Sequence, residues 1–504
     1  MALTAARKPE TVIPDEMRDS RTAFMQSFSV DSPDCYGVYS LPKEGKQMTE
    51  KKKAAWPGKR RRAVSISRIM AFTFLGIILF GALLLMLPFA SRSGRSAGPV
   101  TALFTATSAT CVTGLVLADT WTQWSNFGQA VILAMIQVGG LGFMSAASIA
   151  YFSLRRRISI KQQLVIAEAI GSDMDEAVYH QKRLLIRAFM IEGIGALILT
   201  IRFLFEYPVF VAVKLGVFHA VSAFCNAGFD VLGFIEPGAS LIVYQKDPVI
   251  CLTLSALVIL GGLGFLVWDE VWRERKTPRT WSVYTRLVLV TTGVLLLAGT
   301  VLTCLFEWGN PSTLGPMSVP QKILAAFFQS MTLRTAGFAG VDQGLLTPAG
   351  KGVSIFLMLI GGSSGSTAGG LKTVTFVVLL MFLWNRIRGR RTVSVFHRTI
   401  SDEHVLNAIT IFMLMVLLAF AGSVVICSTS PVDFSDSLYE TVSALGTVGL
   451  TAGATPRLSL VSKFMIMLFM YFGRVGLLTI SFGFLKRKPS GEQYKYANTD
   501  LLIG

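Results

Sequence analysis

The chain has 504 residues, of which 52% are apolar or aromatic and only 15% charged, too few charges to clothe soluble domains of this length. Lys and Arg outnumber Asp and Glu by 47 to 30, a formal charge of +17. The basic residues stand in short runs beside apolar stretches, which is the positive-inside spacing of a polytopic membrane protein, and no continuous basic face remains for a nucleic acid.

Residues 1–64 carry mixed charge with Pro9, Pro14, Pro33 and Pro42, and read as a flexible cytoplasmic tail without a signal-peptide core. Beyond them, eight stretches are long and apolar enough to span a bilayer: 69–90, 127–154, 184–205, 249–271, 287–305, 352–382, 405–427 and 461–484. Between the members of each successive pair lies an apolar segment too short to cross, at 102–114, 211–228, 319–337 and 433–449, and each ends on a glycine. Basic runs at 51–53, 59–62, 155–157, 273–279, 386–391 and 486–488 put both termini and the linkers between pairs in the cytoplasm.

The four terminal glycines align as Cys111-Val112-Thr113-Gly114, Cys225-Asn226-Ala227-Gly228, Arg334-Thr335-Ala336-Gly337 and Gly446-Thr447-Val448-Gly449. Ten positions before each stands an aromatic ring, Phe104, Phe218, Phe327 and Tyr439. Six before it stands a small or flexible residue, Ser108, Ser222, Met331 and Ser443. The later span of each pair carries glycines at matching depth: 139–142, 261–264, 361–365 and 473–476. These second glycines read chiefly as places where helices cross closely.

The fold class that follows is an all-α polytopic membrane protein. It consists of four tandem parallel helix, re-entrant loop, helix repeats, with eight transmembrane helices around a central pseudo-four-fold pore. The repeats cover 65–157, 158–272, 273–391 and 392–488, followed by a tail at 489–504. Non-helical backbone at membrane depth is tolerated only beside protein or a water-filled path. Glycine lets a chain turn its carbonyl oxygens inward through φ > 0. Rings of such carbonyls replace the hydration shell of a potassium ion, and the partially negative C-termini of the short helices add attraction.

The segments TATSATCVTGLVLADT (105–120), FHAVSAFCNAGFDV (218–231), QSMTLRTAGF (329–338), SALGTVGLT (443–451) and GGSSGSTAGGLKT (361–373) resemble the Trk/Ktr/HKT superfamily of potassium transporters. Within it they are most similar to the ion-translocating subunit of the bacterial Ktr system, over residues of about 66 to 488. The resemblance implies a selectivity filter of Val112, Thr113, Gly114, Asn226, Ala227, Gly228, Thr335, Ala336, Gly337, Thr447, Val448 and Gly449, binding K⁺ through backbone carbonyls. A serine in place of Gly114 goes with sodium permeation in some plant relatives, so the glycine implies potassium. The resemblance further implies an intramembrane gate of Gly361, Gly362, Ser363, Ser364, Gly365, Ser366, Thr367, Ala368, Gly369, Gly370 and Lys372, with Arg474 facing the ion path below the filter. It implies a homodimer in the bacterial plasma membrane, surrounded by membrane lipids, that binds a cytosolic ring of nucleotide-binding regulatory subunits of the KtrA/TrkA kind. No covalent cofactor is expected, and sodium dependence stays open.

Several polar residues carry two readings. Arg474 is an electrostatic barrier or gate partner, or else one half of an ion pair with a residue such as Glu192. Glu192 is a functional intramembrane carboxylate or a paired structural one, while His219 reads as a packing histidine. Arg334 reads as a brace behind the filter, and Asp119, Asp230 and Asp342 either gather cations at the outer mouth or are solvated loop residues. The cysteines and the four histidines show no metal spacing, and GxxxxGK[ST], HExxH and GxSxG are absent, so no enzyme is expected.

Overall fold

The computed structural model describes residues 66–142 and 174–476 apart from positions 276, 391 and 397; the predicted tail 1–64 and the predicted stretches 143–154 and 477–488 lie outside the described residues. Most of what is described is helix. The first quarter holds α1 (Ile66–Leu85), α2 (Pro99–Thr110), the single turn α3 (Thr120–Gln123) and α4 (Asn126–Leu141). The second holds α5 (Met174–Phe203), α6 (Val209–Phe224), α7 (Pro248–Leu263) and α8 (Phe265–Arg273). The third holds α9 (Val283–Glu307), α10 (Val319–Thr332), α11 (Pro348–Leu359) and α12 (Thr373–Ile387). A two-residue antiparallel hairpin, β1 (Ser394–Val395) with β2 (Arg398–Thr399), leads to α13 (Asp402–Thr429), α14 (Phe434–Gly446) and α15 (Leu460–Val475).

Local chemistry sets the helix starts. Ser125, Asp247, Ser282, Thr347 and Ser459 each accept a hydrogen bond from a backbone N–H of the first turn they precede, and Pro99, Pro248 and Pro348 stand where a missing N–H costs nothing. The long helices are apolar on the outside as well. Leu197 on α5, Leu297 and Leu305 on α9, and Leu417 and Phe420 on α13 are all exposed, as lipid-facing side chains are. The main apolar cluster of the interior includes Phe104, Phe218, Phe328 and Tyr439 from the four short helices, with smaller clusters beside it.

Among the described residues three helices meet the length and apolarity of a membrane span: Arg183–Phe203, Val283–Glu307 and Asp402–Thr429. A fourth is reached if α7 and α8 count as one, but they are bent by 95° at Gly264. The expected straight span 249–271 is therefore corrected: the helix stops at Leu263 and α8 turns away. Gly264 has φ +91°, and Gly142 and Gly476, which end α4 and α15, have φ +80° and +93°. The last glycine of the first, second and fourth sets is thus a helix stop, a signal absent from the periodicity of apolar residues. The expected span 352–382 is two helices, α11 and α12, divided by residues 360–372.

The first glycine of the first, second and fourth sets does serve close crossing. A Cβ on Gly139, Gly261 or Gly473 would lie 2.0, 2.0 or 2.3 Å from the carbonyl oxygen of Thr110, Phe224 or Leu445, each four residues before a loop glycine. The later helix of the pair thereby packs directly on the end of the short one.

Candidate functional site

After each of α2, α6, α10 and α14 the chain leaves helical geometry in the same way. The residue two before the loop glycine is left-handed, Val112 (φ +55°), Asn226 (+59°), Thr335 (+66°) and Thr447 (+51°). The glycine is left-handed again, Gly114 (+97°), Gly228 (+68°), Gly337 (+81°) and Gly449 (+93°). One ordinary residue separates the two, which is the alternation that points successive carbonyls to one side of an extended strand.

The loops meet each other in a closed cycle. A Cβ on Gly114 would lie 2.5 Å from Ala227 O, on Gly228 2.8 Å from Ala336 O, on Gly337 2.5 Å from Val448 O, and on Gly449 1.9 Å from Thr113 O. Each glycine therefore faces the carbonyl preceding the next glycine, and the fourth returns to the first. Only a residue without a side chain fits at any of the four positions.

The short helices hold this arrangement by one repeated bond. The amide of the middle residue donates to the carbonyl of Ser108, Ser222, Thr332 or Ser443, at 2.8, 2.7, 3.0 and 2.8 Å. Their hydroxyls fix the glycine or the residue after it: Gly114 and Gly449 donate N–H to Ser108 and Ser443 Oγ at 3.0 and 3.1 Å, while Ser222 and Thr332 donate to the carbonyls of Phe229 and Phe338 at 2.7 Å. The third repeat corrects the sequence alignment. Thr332, five before its glycine, does what serine does six before the others, and Phe328, not Phe327, is the buried aromatic. One residue fewer separates the bonding residue from the glycine there, so a fixed-offset comparison selected Met331 and Phe327.

Residues 361–373 lie against this ring. Thr367 Oγ1 is 3.0 Å from Phe224 O and 3.1 Å from Asn226 Oδ1, and a Cβ on Gly369 would meet Thr447 Oγ1 at 2.1 Å. The segment is not a coil without partners. Ser363 N donates to Gly262 O (3.0 Å), Phe265 N to Gly365 O (3.0 Å), Gly361 N to Leu371 O (2.8 Å) and Lys372 Nζ to Ala368 O (2.8 Å). Ser366 Oγ donates to Ser363 O at 2.7 Å, and the hydroxyl of Tyr284 donates to Ser364 O at 2.8 Å. Gly362 and Gly370 complete the tight packing, against Ala368 and against Gly446 O.

Arg474 decides between its two readings. Its guanidinium donates to the carbonyls of Thr367, Gly139 and Gly140, the last at 2.9 Å, and so joins the ends of α4 and α15 to the loop. The ion pair with Glu192 is not formed. Glu192 instead accepts Gln137 Nε2 on both carboxylate oxygens at 3.0 Å. Arg334 reaches Gly361 O and Thr373 Oγ1 at 3.4 Å, so it braces the start of the 361–373 loop where a brace behind its own strand was expected. His219 is buried among Phe203, Phe218 and Phe338 with Nδ1 2.8 Å from Leu215 O.

The loop carboxylates turn back on backbone amides. Asp119 accepts from Thr122 N and Gly238 N, Asp230 from Leu232 N and Asp342 from Gly344 N. Burial, with the Asp119 carboxylate nearby, pushes Asp230 up to about 6. Sequence reasoning missed a second tier of polar braces. Glu440 accepts from Thr455 N and Oγ1 at 3.1 and 2.9 Å, and Tyr439 donates to Gln343 Oε1 at 2.9 Å, tying the fourth short helix to the chain beyond the third glycine. Such pairs are distant in sequence and have no local periodicity.

A helical, lipid-facing chain with this closed ring belongs to the class of polytopic membrane transport proteins. Residues 52–496 match the TrkH family, described as cation transport protein, and the chain belongs to that family. It is 38% identical over 450 residues to the potassium/sodium uptake protein NtpJ of Enterococcus hirae, covering 88% of this chain and 98% of the relative. It is 38% identical over 430 residues to the Ktr system potassium uptake protein B of Bacillus subtilis, covering 85% and 94%. The fold is similar to the crystal structure of the potassium transporter TrkH from Vibrio parahaemolyticus, with a TM-score of 0.66 at 16% identity over 85% of this chain and 86% of that one. The family is one of transporters, not of enzymes.

Proposed function

We propose that this chain takes up potassium across the bacterial plasma membrane through one pore per chain, with the twelve residues of the four glycine loops as its selectivity filter. The observation that carries the reading is the closed cycle of four left-handed glycines, each facing the carbonyl that precedes the next. Carbonyl oxygens held in that way replace water around a cation of fitting size. The names of the relatives, potassium uptake proteins, support potassium as the cargo. Residues 361–373 act as the gate, because they lie against the ring and are secured by hydrogen bonds, among them those from Arg474 and Arg334, that can be exchanged for water. Energy comes from the membrane potential, about 2.3 kcal/mol per charge per 100 mV.

The word "system" in two relatives' names supports a multicomponent assembly. In this reading the chain is a homodimer that binds a cytosolic ring of nucleotide-binding subunits on its basic face, with both termini on that side. A sodium-permeable or sodium-coupled variant is the second reading, favoured by the name of the E. hirae relative. Expression in a host deficient in potassium uptake separates the two. Rescue by the native chain and its loss with Gly114→Ser, accompanied by sodium entry, supports potassium selection; failure to rescue with a regulatory ring co-expressed refutes it.

A further inference from the structure

A cavity of about 680 Å³ lies between the start of α9, the start of α12, the β1–β2 hairpin and the start of α13. That volume falls within the range of about 300–1,000 Å³ typical of ligand pockets. Leu287, Val378 and Ile411 line it with hydrocarbon, whereas Arg398 and His404 stand at its exposed rim. Among the described residues neither of these two side chains has a hydrogen-bond or ion-pair partner. The acidic pair Asp402 and Glu403 begins the same helix, but neither lines the cavity. Arg398 thus sets a fixed cation beside a largely apolar lining, which fits an amphiphile with an anionic head.

Position narrows the ligand further. The rim follows the basic run Arg386, Arg388 and Arg390, so it lies at the cytoplasmic boundary if that run marks the inner face. Basic pockets between membrane helices on that side suit anionic lipid headgroups. The cavity also touches the 361–373 segment from two directions. Tyr284 lines it and donates its hydroxyl to Ser364 O, and the lining residues Val374 and Thr375 directly follow Thr373, where the segment ends.

We infer that this cavity binds the headgroup and upper acyl chain of an anionic phospholipid of the cytoplasmic leaflet, and that its occupancy holds residues 361–373 in place through Tyr284. The gating half of the inference rests on the proposed function; the binding half does not. Lipid retention is measured by native mass spectrometry on the purified full chain offered phosphatidylglycerol or phosphatidylcholine. Wild type should prefer phosphatidylglycerol. Arg398→Gln should weaken that retention about fivefold, and Ala408→Phe, which fills the cavity, should abolish it without shifting elution from a sizing column. Equal retention of the two lipids, or undiminished retention by both variants, overturns the site, as does full displacement of the lipid by inorganic phosphate. Potassium flux into vesicles with and without phosphatidylglycerol then tests the coupling. Tyr284→Phe should keep lipid retention but lose the dependence of flux on phosphatidylglycerol; a wild-type dependence in that variant refutes the coupling. If no vesicle shows potassium flux, it is the functional reading that fails, and retention still decides the lipid site.

Discussion

A single methyl group separates Gly449 from collision, since its Cβ would stand 1.9 Å from Thr113 O at a φ of +93°. Left-handed backbone costs any other residue about 1–2 kcal/mol, and overpacking adds about 1–3 more. Gly449→Ala should therefore insert into the membrane yet fail to restore potassium uptake, and intact potassium-over-sodium discrimination in that variant would count against a filter role. Arg474→Gln removes the donors to Thr367, Gly139 and Gly140, so cation leak in uptake assays should rise at unchanged expression. Asp230 offers a pH test. The folded chain holds its proton more tightly than the unfolded chain does, so stability present at low pH is lost as pH rises through about 6. Over the same interval a negative charge appears beyond the second loop. Thermal unfolding of the detergent-solubilised protein should show stability falling between about pH 4 and about 6 and levelling above that, a decline that Asp230→Asn lacks.

Among elements, the short helix with the strand that follows it is the repeated unit, and a glycine ends the partner helix in three of the four repeats. Gly264 turns the chain by 95° between α7 and α8, and a Cβ there would meet Ser363 Oγ at 2.7 Å and Ser364 O at 2.9 Å. Gly264→Ala should lower the midpoint of thermal unfolding and disturb the 361–373 segment together, because one substitution strains both. Deleting residues 363–368 removes Thr367 from Asn226 and from Arg474, and should raise cation flux; unchanged flux would show that the segment does not obstruct the path. The sequence announced these units through the four aligned glycines. It concealed the one-residue slip of the third repeat, because Met331 and Phe327 are acceptable residues at the offsets where the other repeats carry serine and an aromatic ring. The real partners, Thr332 and Phe328, are identified by hydrogen bonding and burial.

At the scale of the molecule, every quarter of the chain supplies one side of the ring, and each glycine is fitted against its neighbour's carbonyl. A fragment that lacks any quarter leaves a ring open. Residues 1–272 and 273–504 expressed separately should each fail to restore potassium uptake, while their co-expression should restore it; uptake by either half alone would refute a pore shared by all four loops. Buried cross-links such as Asn226 to Thr335 and Asn226 to Thr367 supply the affinity between halves, since their polar atoms have no water to return to.

Membrane residence, the four glycine loops and the family were determined by the sequence alone, for physical reasons that act locally. Hydropathy is summed over neighbouring residues, and a glycine forced by backbone geometry is visible wherever it recurs. What each polar residue does was decided only by tertiary structure. Arg474 chose the carbonyls of Thr367, Gly139 and Gly140 over Glu192, Arg334 turned to the start of the 361–373 loop, and Asp230 turned back onto the amide of Leu232 in a part-buried turn. A buried charge binds the nearest group that satisfies it, and which group is nearest depends on how helices distant in sequence pack together.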